Sequence, residues 1–580
     1  MSELVASRPK PLMSSYAVII VISILVGLAG YFLSISQFAI MLLGLTLIAF
    51  ALIKVEFALA LLVLAVPLSS FRIDIGPIPI DAVTICTGIV IASYVLNNLR
   101  KNEKHKSIPF AWAFLAFLFF AMISTVVAPS TVGAIAVIIR FIGYFALVYA
   151  VGHSIRSREM LIWILVLMVI SGAVTSLYGL YQYFYAPETA KIGLYDLTED
   201  VAARVGSTFE NPNFYAEYLV LIVPLGLALV LGLRGAFRRV ALGVATLFLF
   251  IGLILTYTRG SWMATGIGII LMSLLTEAWL FWVWMALFAI ALVAAPGVAS
   301  RLASITDITG GTAGFRMRLW LIASGIISEH MLIGIGIGNY YDVFTEYVFR
   351  HPELNVGWVI YGAHNSYLTI WAETGIFGIL SFVAIILISI KYGLYLARAK
   401  AQDKYLSWIN SAIFAGVIGF SINSLTSNSF HHPQPAVFFW FLLGLQVAID
   451  GLNPEPTRAR TSSLVDGSLV LRPFRFAIAS IRVAVFNHPI YRGLSAAGQF
   501  WHASKMVAWL FKEPVLPAFA AGSRSYRPVS IFLERIRLWI EDSAVLHIAR
   551  DIGARPLAAV TLFVAAALVI RVLARAVIGQ

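Results

Sequence analysis

The run Met160-Leu161-Ile162-Trp163-Ile164-Leu165-Val166-Leu167-Met168-Val169-Ile170 continues to Phe184 without a charged residue, and Arg156-Ser157-Arg158 stands just before it. An apolar stretch of that length crosses a hydrocarbon core about 30 Å thick as a helix. The helix is required because lipid offers no partner to a free backbone group. Outward from this run, further apolar runs recur at 15–35, 38–55, 57–70, 79–98, 109–128 and 132–152. Beyond it they recur at 214–233, 239–257, 261–276, 277–297, 366–395, 408–426 and 436–450. The run at 57–70 is short and is expected to tilt inward or fuse with its neighbour. The expected fold is all-α, a polytopic transmembrane helix bundle of about 12–15 spans.

Composition agrees with this reading. Of 580 residues, 60% are hydrophobic and 12% charged, with a mean hydropathy of +0.90. A soluble domain carries about 25% charged residues. The formal charge of +13 could point to nucleic acid. The basic residues, however, sit in short loops and a tail between apolar runs, as topology-setting charge does. Membrane lipids are therefore the expected partner of this charge, and nucleic acid is not. Cys86 is the one cysteine, and no Cys/His spacing suggests zinc. No metal and no cofactor are expected. Arg8 and Lys10 precede the first apolar run, which reads as an uncleaved anchor.

With the N-terminus in the cytoplasm, four basic loops fall on one side: Arg100 to Lys104, Arg156 to Arg158, Arg234 to Arg239, and Arg398 to Lys404. The other side receives Phe71 to Pro79, 185–213, Thr256 to Ser261, 298–365 and Ser427 to Pro435. That segregation follows the positive-inside rule. Loops beyond about 15 residues are functional or disordered. The one at 298–365 mixes Trp, Tyr, Gly and His with apolar residues and is expected to be ordered, with a short amphipathic helix over Arg316 to Ile327. The chain thus divides into a membrane domain, 1–450, and a C-terminal tail, 451–580, that begins with a Pro- and Arg-bearing linker. The tail holds basic amphipathic segments near 473–486, 495–513 and 528–550 and a last hydrophobic segment at 557–573. Such segments lie on anionic lipid at the cytoplasmic surface.

Chemistry-bearing residues concentrate in the outer loops. Arg259 lies in the short turn Thr256-Tyr257-Thr258-Arg259-Gly260-Ser261, where it either snorkels or binds an anionic head group. Arg140 sits nearer mid-span and should face the bundle or a cavity. Arg316 and Trp320 are one helical turn apart on one face, whereas Arg318 points elsewhere. A guanidinium suits bidentate binding of phosphate oxygens. Gly334-Ile335-Gly336-Ile337-Gly338-Asn339 reads better as a close-packed turn than as a phosphate loop, since no Lys-Ser/Thr follows it. In Ala363-His364-Asn365-Ser366-Tyr367-Leu368, Asn365 or Ser366 can cap the next helix, and His364 is either a structural residue or a proton-transfer group. Glu373 is an expensive buried carboxylate unless paired. His431-His432-Pro433 is also outer, but a metal there would need further ligands.

Taken in order, four stretches resemble the O-antigen ligase and O-antigen polymerase superfamily of bacterial membrane glycosyltransferases. These are Arg204-Val205-Gly206-Ser207-Thr208-Phe209-Glu210-Asn211-Pro212-Asn213; the Arg259 turn; Arg316 and Trp320 with the turn to Asn339; and His364 to Leu368 through Glu373-Thr374-Gly375-Ile376-Phe377-Gly378. The likeness spans about residues 15–450. It implies a bacterial inner-membrane protein that transfers a glycan from undecaprenyl diphosphate to an acceptor, lipid A core or polysaccharide, at a site facing the periplasm. The same resemblance makes Arg259 and Arg316 the arginines that hold the diphosphate and His364 the catalytic histidine, with no metal and with inversion. Arg204, Asn213, Trp320, Asn365, Tyr367 and Arg140 are the candidate substrate-binding residues. The motifs do not separate a ligase from a polymerase. Two other readings stand beside them: a small-anion transporter, which should show inverted repeats, and a scaffold in polysaccharide export.

Overall fold

The computed structural model describes residues 26, 33–68, 72–75, 78–99, 108–186, 204–209, 211–294, 311–355, 362–398 and 404–452. The span expected at 15–35, the basic loop at 100–104 and the whole tail from 453, with its segment at 557–573, lie outside them, apart from Val26 and the end of that span. The chain divides into two units, one formed by 1–53 with 463–580 and the other by 54–462. Of the first, the described part is helix α1 (Ile35–Ile53), where Phe38 and Leu42 are buried.

The second unit carries the rest. Its helices are α2 (Val55–Ala65), α3 (Ala82–Leu99), α4 (Ala111–Ser124), α5 (Thr131–Ser154), α6 (Arg158–Tyr185) and α7 (Pro212–Gly232). Then come α8 (Ala236–Leu255), α9 (Arg259–Leu275), α10 (Trp279–Ala294), α11 (Gly311–Glu329) and α12 (Tyr340–Arg350). The chain closes with α13 (Ser366–Arg398), α14 (Lys404–Asn423) and α15 (Pro433–Leu452). Each apolar run from 38 to 450 forms a helix. Among the described residues eight helices, α1 included, are long and apolar enough to cross a membrane, and five further apolar helices are shorter.

The all-α expectation needs one amendment. Within the stretch read as an outer loop, β1 (Arg72–Ile75) and β2 (Ile78–Asp81) pair antiparallel, with Arg72 opposite Asp81 and Ile75 opposite Ile78. The cause is in the sequence: isoleucines 73, 75, 78 and 80 alternate with other residues around Gly76-Pro77, a period-two pattern broken by turn formers. Asp81 Oδ1 then accepts from Thr84 N at 2.7 Å and starts α3.

The centre of the bundle is α7, α14 and α15, the most enclosed of the long helices. Helix α14 packs on α7 and α9, α15 on α5, and α13 on α4. Aromatic rings fill the space between them: Trp440 lies over Tyr144 at 5.9 Å and edge-on to Phe114 at 5.7 Å, and Phe382 meets Phe117 at 5.3 Å.

The basic helix ends meet at one end of the bundle. Arg158 lies over the Tyr405 ring at 5.0 Å, Lys404 pairs with Glu277 at 2.9 Å, and Ser407 Oγ donates to Ala397 O at 3.0 Å. The quoted motifs gather at the opposite ends of the same helices.

Candidate functional site

The loop Asn423–His432, between α14 and α15, is where the motif-bearing elements converge. Phe430 roots it, buried against Phe382 at 4.9 Å, Phe439 at 4.9 Å and Phe420 at 5.2 Å.

The Arg259 turn reaches this loop from one side. Helix α8 ends at Leu255 and α9 begins at Arg259, with Tyr257 between them at φ +51°. The segment before α7 straps the turn down. Arg204 Nε donates to Thr256 O at 3.0 Å, and its Nη2 donates to Asn213 Oδ1 at 2.7 Å and Thr258 Oγ1 at 3.1 Å. Val205 N adds a bond to Leu255 O at 3.0 Å. Ser207, at φ +55°, donates its hydroxyl to Thr175 O at 2.6 Å, and Asn211 caps α7 through Asn213 N at 2.8 Å. On the far side of the turn, Ser261 Oγ donates to Asn423 Oδ1 at 3.0 Å. Arg259 itself is half-buried at the first position of α9. Cations are disfavoured at a helix N-terminus, so this guanidinium and the end of the helix dipole present positive potential together.

The His364 turn reaches the same loop from the other side. Asn428 Oδ1 accepts from Asn365 N at 3.1 Å and from Thr369 Oγ1 at 3.3 Å. Ser366 N donates to Ser424 O at 2.9 Å and Ser427 O at 3.0 Å. Asn365 is the cap of α13, its Oδ1 accepting from Tyr367 N at 3.0 Å and Leu368 N at 3.1 Å. Tyr367 donates its hydroxyl to Ser421 O at 2.8 Å. Between these anchors His364 is held at φ +48°, a left-handed conformation uncommon for any residue but glycine. Among the described residues three non-glycines have positive φ: Ser207, Tyr257 and His364. All three lie in the motifs, and strain of that kind concentrates where surrounding structure over-determines a site.

Two buried carboxylates complete the loop's fixation. Glu217 of α7 accepts from the Ser427 hydroxyl. Glu373 Oε2 stands 3.5 Å from His431 Nε2, while its Oε1 accepts from Tyr340 N at 3.3 Å. Arg140 turns inward, and its Nη1 donates to His431 O at 3.3 Å. Arg140 thus faces the bundle, one of the two places expected for it.

Helix α11 supplies the third arm and is longer than the segment expected from the sequence. Arg316 and Trp320 are half-buried on it, and Arg318 is exposed. The buried indole Nε1 of Trp320 has no hydrogen-bond partner among the described residues. Burial, and after it the charge of Arg316, push the His364 imidazole down to about 4. His364 is therefore neutral near pH 7 and able to accept a proton. His432, whose ring lies 3.8 Å from that of Phe214, is pushed down to about 3 by burial and then by His431, His364 and Arg140.

The glycine turn after α11 is a packing device. Helix α13 is broken at Gly375, with φ +70° and ψ −176°. The carbonyls this frees are taken up by the turn: Ile335 N donates to Ala372 O at 2.9 Å and Gly336 N to Glu373 O at 3.0 Å, while Ile376 N donates back to Met331 O at 2.9 Å. A Cβ on Gly334 would stand 2.5 Å from the Glu373 carbonyl. The turn's far side is tied to the start of α5, Ser130 N donating to Asn339 Oδ1 at 2.6 Å.

Arg259, His364 and Arg316 thus border one region, with Arg140 behind the loop. Arg204, Asn213, Asn365 and Tyr367 use the polar atoms described above on other parts of the protein. Asn423 and Asn428, which join the two turns, carry no sequence signal: an Asn in Asn423-Ser424-Leu425-Thr426-Ser427-Asn428 reads as an ordinary turn former. Among the described residues no group of three or more His, Cys, Asp or Glu is placed to hold a metal ion.

Residues 243–383 match the family model described as O-Antigen ligase. That segment holds the Arg259 turn, α11, the glycine turn, His364 and the break in α13, so the resemblance to the O-antigen ligase superfamily stands on the part of the chain that carries the site. A search of curated proteins gives no match.

Proposed function

We propose that this multi-pass membrane protein is a glycosyltransferase of the O-antigen ligase type, transferring a glycan from undecaprenyl diphosphate to a lipid A core or polysaccharide acceptor. The observation that carries the reading is the convergence of the Arg259 and His364 turns on one loop, with the Arg316 charge felt at His364. We take the end of the bundle opposite the basic helix ends to be the periplasmic one, by the positive-inside rule.

In this reaction the acceptor hydroxyl oxygen attacks the anomeric carbon. The bond from that carbon to the diphosphate breaks, and its electron pair leaves with the lipid diphosphate. Arg259 and Arg316 offset the charge that develops on the leaving group. His364 Nδ1 or Nε2 takes the proton of the acceptor hydroxyl. Attack from the face opposite the diphosphate inverts the anomeric centre. The donor also prepares the base. Its negative charge beside Arg316 removes part of the electrostatic cause that keeps His364 acidic, so the imidazole becomes more basic once the donor is bound.

Cells lacking the protein test the reading. The expected outcome is loss of finished polysaccharide from its acceptor, with long polymer left on the lipid carrier. Accumulation of single repeat units instead assigns the same site to a polymerase, and an unchanged glycan profile overturns the proposal.

A further inference from the structure

The sequence assigns all of 298–365 to the aqueous outer side, yet its central turn carries three consecutive exposed apolar residues: Met331 (50%), Leu332 (65%) and Ile333 (47%). A run of three exposed apolar residues is unfavourable in water unless something covers it. What covers it follows from where the turn is attached. Met331 O accepts from Ile376 N, and Ile335 N donates to Ala372 O, so the turn is bonded to α13 beside its break at Gly375.

The depth of that break is set by length. From Ile376 to Arg398 the helix rises about 35 Å at 1.5 Å per residue. With Arg398 at the inner boundary, Gly375 stands close to the outer edge of a hydrocarbon core about 30 Å thick. If Lys391 marks the inner boundary instead, Gly375 stands about 24 Å above it, inside the core. Just below the break, Phe377 (48%) and Leu380 (42%) are exposed on α13, the surface that lipid must cover. The same arithmetic works on α6. Its 28 residues span about 42 Å, and its exposed outer positions change from Ile170, Val174 and Leu177 to Tyr178, Tyr181, Phe184 and Tyr185. Tyrosine marks the membrane interface.

We infer that Met331-Leu332-Ile333 is a membrane keel: it inserts into the outer leaflet and docks the α11–α12 part of the loop on the bilayer. The partner is the lipid acyl region itself, continuous with the lipid-covered face of α13. The consequence for the protein is that Arg316 rides on a helix tethered at the height of lipid head groups.

A spin label attached at Leu332→Cys tests this in the full chain reconstituted in lipid vesicles, since Cys86 is buried. The label should collide severalfold more with oxygen, which concentrates in lipid, than with a water-soluble nickel chelate, matching a label at Phe377→Cys. A label at the exposed, outer Glu353→Cys should show the reverse. Met331→Cys gives a second probe should Leu332→Cys misfold. Nickel accessibility at 331 and 332 equal to that at 353 would overturn the keel, whatever the protein's activity.

Discussion

His364 illustrates how backbone and charge act on one residue. It is neutral because burial and Arg316 hold its imidazole down to about 4, and it is aimed because Asn428 fixes the residue that follows it. Two consequences follow for pH. The unfolded chain binds the proton first, since an ordinary imidazole titrates near 6.5. His364 therefore contributes stability above that value and loses it as pH falls toward 4. For catalysis, kcat/KM reports the free enzyme and kcat the donor complex. The acid limb of kcat/KM is expected near 4, and that of kcat at higher pH because the bound diphosphate offsets Arg316. Identical limbs in transfer assays from pH 4 to 8 would count against that coupling. Arg316→Lys keeps the charge but loses the planar fork, and should lower kcat about a hundredfold, as single-turnover transfer would read. Arg316 and His364 stand out in the sequence as candidates because their side-chain chemistry announces itself. The low titration point was not, since it depends on which cation lies near in space.

At the scale of elements, the break in α13 and the glycine turn form one unit. Each supplies backbone donors to carbonyls the other leaves open, as a helix interrupted at membrane depth requires. Gly375→Ala forces a Cβ into the carbonyl of Leu332 at a positive φ and should destabilise the protein by about 1–3 kcal/mol. A thermal-unfolding scan in detergent reads the loss, whereas Gly143→Ala, inside α5 with open space around it, should not lower the midpoint. The close-packed reading of the glycine turn was available from sequence, because the Lys-Ser/Thr of a phosphate loop is missing. The pairing of the turn with Gly375 was not: a helix break at one glycine leaves no periodic trace in a run as apolar as 366–395. The hairpin at 72–81 left such a trace, an alternation of isoleucines, but it is short beside the spans that flank it.

Across the whole molecule, hydrophobic runs and basic loops made the span order readable, since lipid imposes both. The helices from 35 to 452 fall where those runs lie, except α11 and α12, which form within the outer stretch 298–365. Which ends meet was less readable, because contacts such as Ser261 with Asn423 or Ser130 with Asn339 join residues far apart in the chain. Sidedness is directly testable. Single cysteines at Glu353 and at the exposed Arg238 should label from opposite sides of sealed vesicles, and labelling of both from one side would reverse the topology.

Purified, reconstituted protein given a polyprenyl-diphosphate glycan and an acceptor separates a His364 that acts on the acceptor from the arginines that hold the donor. Transfer and donor affinity are measured for the native chain and for His364→Ala. Transfer should fall by about 10²–10⁴-fold, the range for a lost general base, with donor affinity nearly unchanged. Near-native transfer by His364→Ala would contradict it and return His364 to a structural role at the entrance of α13.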